Sequence, residues 1–302
     1  MQDIIIQALC FMAIIALGYV LKRIGWFKES DFPVLSTVVM KITLPAAIIM
    51  SFNGSTVDFS MLILLVLGLG CSVLLMVLGY VVNLRKTKEE KAFAVLNIPG
   101  YNIGNFTLPF AMSFLGPTGV IATSIFDTGN SMVCLGGAYG IAALIQEGKG
   151  FSLKRILKLL VQSIPFMCYV VMLILCLLHI SLPAPVASFL DILANANVFM
   201  AMLMIGVGLE LKADTKKIGV IVQILGIRYV VGILFALAFY YLLDLPMEVR
   251  LALIIIVLSP PSSCMPAFTE DLKGDVGLSG AINSISTVIS IVLIVAALSV
   301  LM

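Results

Sequence analysis

Ten apolar runs follow one another along the chain, with only short polar stretches between them. They cover approximately 3–21, 32–52, 59–83, 92–115, 119–145, 156–180, 186–209, 218–243, 249–270 and 276–301. About 20 mostly apolar residues in a helix span the hydrocarbon layer of a bilayer, and no soluble core absorbs so many such segments in 302 residues. The composition agrees. Hydrophobic residues make up 61% of the chain, charged residues 11%, and mean hydropathy is +1.17, against about 45–50% apolar and about 25% charged in soluble domains. A soluble enzyme, a disordered chain and a nucleic-acid binder are excluded. The expected fold class is an all-α polytopic membrane protein of ten transmembrane helices.

The basic residues sort by loop. Odd-numbered loops carry Lys22, Arg23 and Lys28; Arg85, Lys86, Lys88 and Lys91; Lys149, Lys154, Arg155 and Lys158; Lys212, Lys216 and Lys217; and Lys273. Even-numbered loops carry Arg250 alone. Lys and Arg collect on the cytoplasmic side of a membrane, and one missed helix would scramble this split. The pattern therefore implies ten spans with both termini outside, in a cytoplasmic membrane. The first run has no base ahead of it in Met1-Gln2-Asp3, whereas Lys22, Arg23 and Lys28 come after it. A signal peptide has the reverse layout, so this run is expected to be a retained helix.

Ten spans divide near residue 150 into five and five. An odd number of crossings makes the second unit enter from the opposite face. Similar halves, 1–150 and 151–302, would then be inverted repeats, an architecture common among secondary transporters. The fourth run of each half is interrupted by prolines, Pro99 and Pro109 in one and Pro260, Pro261 and Pro266 in the other. The first interruption reads Asn97-Ile-Pro-Gly-Tyr-Asn-Ile-Gly-Asn-Phe-Thr-Leu-Pro109 and the second Leu258-Ser-Pro-Pro-Ser-Ser-Cys-Met-Pro266. Proline removes a helix hydrogen bond and clashes with the preceding turn. The released peptide groups cannot face lipid, so such breaks persist only beside protein or a water-filled cavity. Matched breaks in two halves point to a transport site.

The pattern Asn102-Ile-Gly-Asn-Phe-Thr-Leu-Pro109, followed by Phe114-Leu-Gly116, resembles the fourth-helix signature of the auxin efflux carrier family. Pro261-Ser-Ser-Cys-Met-Pro266 has the proline spacing of that family's ninth helix. The resemblance covers the whole chain. The centre, Gln146 to Ser152, has no room for the long loop of the plant auxin transporters, so the chain is similar to the bacterial members known as malate or malonate permeases. The resemblance implies scaffold and transport subdomains, a crossing of helices 4 and 9 near mid-membrane, and elevator-like or rocking transport of organic-acid anions. Thr107, where many bacterial members have Gly, and Asn105, a second amide, depart from the pattern.

The candidate substrate-binding residues are Asn102, Tyr101, Asn105, Ser262, Ser263, Arg228 and Lys41. An asparagine amide offers two donors and an acceptor, and half-helix N-termini turn positive dipole ends toward an anion. Ser262 and Ser263 hold the equivalent place in the second break. Asp127 lies mid-span, where an ionisable group is costly and faces a cavity or a partner. It is the candidate proton or ion carrier, with Asn130 beside it. Arg228 and Lys41 are intramembrane cations that would attract an anion or neutralise Asp127. Each has a structural alternative: an amide that satisfies broken backbone, a hydroxyl that caps a half-helix, an ion pair, a snorkelling lysine. Asn195, Asn197 and Asn283 suit bridges between helices better than a site. The six cysteines form no metal-binding spacing and His179 is the single histidine, so no metal or cofactor is expected, only H⁺ or Na⁺ coupling.

The expected function is secondary active transport of small organic-acid anions by alternating access, with a sodium-coupled symporter or an anion channel as the alternatives. No enzymatic constellation is present in the sequence. The expected partners are the anion and the lipid bilayer, with a homodimer left open and no nucleic acid.

Overall fold

The computed structural model describes residues 2–55, 59–148, 153–210 and 217–302, and every regular element among them is helical. Lys149, Lys212, Lys216 and residues 149–152 of the central loop lie outside the described residues. Seven helical stretches are long and apolar enough to cross a membrane. They are α1 (Gln2–Arg23), α2–α3 (Phe32–Val38 and Leu44–Phe52), α4 (Ile63–Val82), α7–α8 (Pro117–Met132 and Ala138–Glu147), α11 (Ala184–Gly208), α12 (Ile218–Leu242) and α15 (Val276–Leu301). Two of them contain a wide π turn, Val39–Thr43 between α2 and α3 and Val133–Gly137 between α7 and α8.

The three remaining apolar segments are divided. The fourth consists of α5 (Lys88–Asn97), a non-helical stretch, a third π turn (Ile103–Thr107) and α6 (Leu108–Phe114). The ninth consists of α13 (Met247–Val257) and α14 (Met265–Asp271), separated by unwound chain. The sixth, which the sequence suggests is continuous over 156–180, is split at Ser163 into α9 (Leu153–Gln162) and α10 (Ile164–Leu177). Ser163 has extended backbone, Pro165 lacks an N–H, and Ser163 Oγ caps the new start by accepting from Phe166 N at 3.4 Å.

The breaks also refine the reading of the prolines. Pro99, Pro260 and Pro261 lie in the unwound stretches. Pro266 sits in the first turn of the helix that follows, where a missing N–H costs nothing, whereas Pro109 comes directly after the π turn Ile103–Thr107 in a continuous helical run.

Contacts between distant loops sort the helix ends onto two faces. Lys22 Nζ donates to Leu209 O at 3.5 Å, Gln146 Nε2 to Leu272 O at 2.7 Å and Gln223 Nε2 to Asn83 Oδ1 at 3.3 Å, and Lys217 pairs with Asp275. The ends of α1, α4, α8, α11 and α14 and the starts of α12 and α15 therefore share one face, called here the basic face for the lysines and arginines around it. On the other face, Leu182 N donates to Asn53 Oδ1 at 3.0 Å and Cys176 Sγ to Ser55 O at 2.8 Å.

Helices α4 and α7 touch backbone to backbone. A Cβ on Gly68 would lie 2.1 Å from Phe126 O, and one on Gly129 would lie 2.0 Å from Leu65 O. Small residues at such crossings let helices in lipid approach closely. Gly129→Ala is expected to lower stability by about 1–3 kcal/mol, seen as a lower melting temperature in detergent. Gly70→Ala, whose Cβ would meet nothing within 4 Å, is expected not to lower it.

Candidate functional site

The two unwound stretches meet inside the protein. Asn102 N donates to Pro260 O at 2.9 Å, a main-chain hydrogen bond directly between the two breaks. Asn105 Nδ2 donates to Ser263 Oγ at 3.0 Å. On the basic-face side, Asn97 Nδ2 donates to Thr269 Oγ1 at 3.3 Å, and Asn97 Oδ1 accepts from Ser279 Oγ at 2.5 Å. Asparagine, serine and threonine side chains of the two segments and their flanks thus tie the first break to the second half of the chain.

Arg228 and Asn130 do most of that replacement. Arg228 is 1% exposed. Its guanidinium donates to Ile98 O at 2.7 Å, to Ser259 O at 2.9 Å and to Pro260 O at 2.9 Å, and it lies 4.8 Å from the centre of the Tyr101 ring. Asn130 acts as a substitute peptide for Tyr101. Its Nδ2 donates to Tyr101 O at 3.0 Å and its Oδ1 accepts from Tyr101 N at 3.0 Å. The same Oδ1 accepts from Ser72 Oγ at 3.0 Å. Gly100 turns the chain with φ of 76°, and a Cβ there would meet Cys134 Sγ at 2.2 Å.

Asp127 sits next to this clip, 6% exposed. Its carboxylate accepts from Asn130 Nδ2 at 2.8 Å, from Tyr169 Oη at 2.9 Å and from Ser131 Oγ at 3.4 Å. Neither intramembrane cation is bonded to it. Arg228 is engaged by carbonyls, and Lys41 is exposed in the π turn between α2 and α3.

Two cavities flank the crossing. One, of about 80 Å³, is bounded by Asp127, Asn130 and Tyr169 together with Asn105 and Ser262. The other, of about 280 Å³, extends toward Lys22 and Glu210 at the basic face. Asn102 and Ser263 line both. The Asn102 side-chain amide makes no hydrogen bond among the described residues, although its own N–H and C=O are engaged. Tyr101 Oη and Asn105 Oδ1 are buried without a hydrogen-bond partner among the described residues. Arg228 and Lys41 line neither cavity.

The structure thus brings Asn102, Tyr101, Asn105, Ser262, Ser263, Asp127 and Asn130 together, holds Arg228 behind them, and leaves Lys41 apart. Asn283 donates to Ser262 O at 3.2 Å and also lines the larger cavity, and Asn197 accepts from Thr43 Oγ1 at 3.0 Å. Among the described residues Asn195 bridges no helices, donating instead to Asp191 Oδ2 of its own helix at 3.2 Å. Tyr169, Ser72 and Asn97 were not singled out by the sequence. Asn97 opens the first break motif and carried a signal, whereas a tyrosine or serine in an apolar run carries little.

Residues 3–150 match the model of a family described as membrane transport protein. Just under half of the chain, its N-terminal part, is therefore similar to that family. The matched stretch holds the whole first break, Asp127 and Asn130. Similar proteins include an uncharacterized transporter of Methanocaldococcus jannaschii, 25% identical over 221 residues and covering 70% of each chain. An uncharacterized transporter of Methanothermobacter thermautotrophicus is 24% identical over 292 residues, 94% of each chain. With seven helical stretches apolar enough to cross a membrane, the chain has to keep its polar site intact within apolar surroundings. Asn130→Ala, which strands the N–H and C=O of Tyr101, is expected to cost roughly 1–3 kcal/mol for each unsatisfied group and to lower the melting temperature in detergent accordingly.

Proposed function

We propose that this protein is a secondary transporter of small organic-acid anions working by alternating access, with ten spans in two inverted halves, 1–150 and 151–302. The observation that carries the reading is the unengaged amide of Asn102. It stands at the meeting point of the two breaks and lines the cavity on either side. A carboxylate held there accepts from the Asn102 amide and lies within reach of the hydroxyls of Tyr101, Ser262 and Ser263. Moving the crossing relative to α10 and α11 then exposes that anion to one side of the membrane or the other.

Asp127 is the proton carrier in this reading. It lines the smaller cavity, and its hydrogen-bond partners are neutral. Sodium coupling at the crossing would need released carbonyls free to coordinate the ion. Those of Ile98, Ser259 and Pro260 already accept from Arg228.

Asn102→Ala in proteoliposomes is expected to abolish carboxylate binding and uptake with little change in melting temperature. Wild-type affinity in this variant would remove the crossing from the mechanism. Asp127→Asn is expected to flatten the dependence of uptake on pH between acid and neutral conditions. An unchanged profile would make Asp127 a structural residue.

A further inference from the structure

Among the described residues Arg228 has no carboxylate partner. All of its hydrogen bonds go to main-chain oxygens, one from the first break (Ile98) and two from the second (Ser259 and Pro260). A buried charge with no counter-ion is costly unless dipoles compensate it. Here the dipoles are carbonyls released by unwinding, with the face of the Tyr101 ring adding to them. Helix α12 is brought close enough by Gly232, where a Cβ would sit 2.5 Å from Val257 O at the end of α13. Three oxygens from two unwound segments converging on one positive charge is the environment in which broken-helix carriers hold a metal cation.

We infer that Arg228 is a tethered cation. Its guanidinium occupies the position at which the crossing would otherwise need a bound monovalent metal ion. It joins the two breaks permanently and makes the assembly of the site independent of Na⁺. This deepens the transport reading and rests on it only for the uptake measurements. Arg228 lines neither cavity at the crossing and reaches the proposed substrate position only through Tyr101 and the main chain, so it acts as a positioning residue. Lysine retains the charge but replaces a planar fork reaching several carbonyls with a single point of donation.

The test combines melting temperature of purified protein with uptake in proteoliposomes. For the wild type, replacing all Na⁺ by N-methylglucamine is expected to change neither. Arg228→Ala is expected to melt lower and to lose uptake by roughly tenfold or more, because three buried carbonyls lose their partner. Millimolar guanidinium is expected to raise the melting temperature of Arg228→Ala by several degrees through binding to the vacated position, to restore part of its uptake, and to leave the wild type unaffected. Arg228→Lys is expected to retain part of the uptake with no added cation.

Three results would overturn the inference: loss of wild-type stability on removing Na⁺, a guanidinium effect of equal size in wild type and variant, or full uptake in Arg228→Ala without guanidinium. If Arg228→Ala yields no folded protein, the wild-type Na⁺ replacement and the Arg228→Lys measurement still decide. The melting experiments need no substrate. If carboxylates prove not to be transported, they still test the tethered cation, and if guanidinium fails to act, anion binding at Asn102 is untouched.

Discussion

A peptide group released from a helix inside a membrane finds no water to bond to. Two helices of this protein are unwound at the same place, so carbonyls and N–H groups of both need partners from the protein itself. The main chains supply one another through Asn102 and Pro260. Arg228 collects Ile98, Ser259 and Pro260, and Asn130 serves both backbone groups of Tyr101. Polar residues that stand out in the sequence as possible ligands are therefore divided between two tasks. Arg228 and Asn130 complete the backbone, and the amide of Asn102 remains over.

That division explains how much of the molecule was legible in the sequence. Lipid imposes a linear requirement, a run of apolar residues of a given length, and the runs at 32–52, 218–243 and 276–301 correspond closely to helical stretches in the structure. Proline chemistry is equally local, so the two breaks could be placed within a few residues. The split of the sixth segment at Ser163 was not foreseen, since a single Ser-Ile-Pro near the start of an apolar run reads as an ordinary helix beginning.

The partners within the site were less legible because they are remote in the chain. Arg228 meets Ile98 across 130 residues and Tyr169 meets Asp127 across 42. An isolated arginine in an apolar run announces that it has a partner without naming it. Charge matching suggested Asp127, but the carbonyls opened by the prolines accept the guanidinium instead. Lys41 gave the same signal as Arg228 and is exposed. Its position in a π turn could not be told from its neighbours in sequence.

The three π turns have a shared consequence. Met40, Asn105 and Cys134 come one from each turn, and all three border the cavity beside Asp127. Such a turn holds one residue more than the α pitch allows, and it tends to occur where a helix does chemical work. Each residue of an α-helix advances the side-chain direction by about 100°, so trimming one position from any of the three would swing everything beyond it by more than a quarter circle. The hollow next to Asp127 is in that sense a product of helical phase: it exists because three separate rods each slip by one step on reaching it.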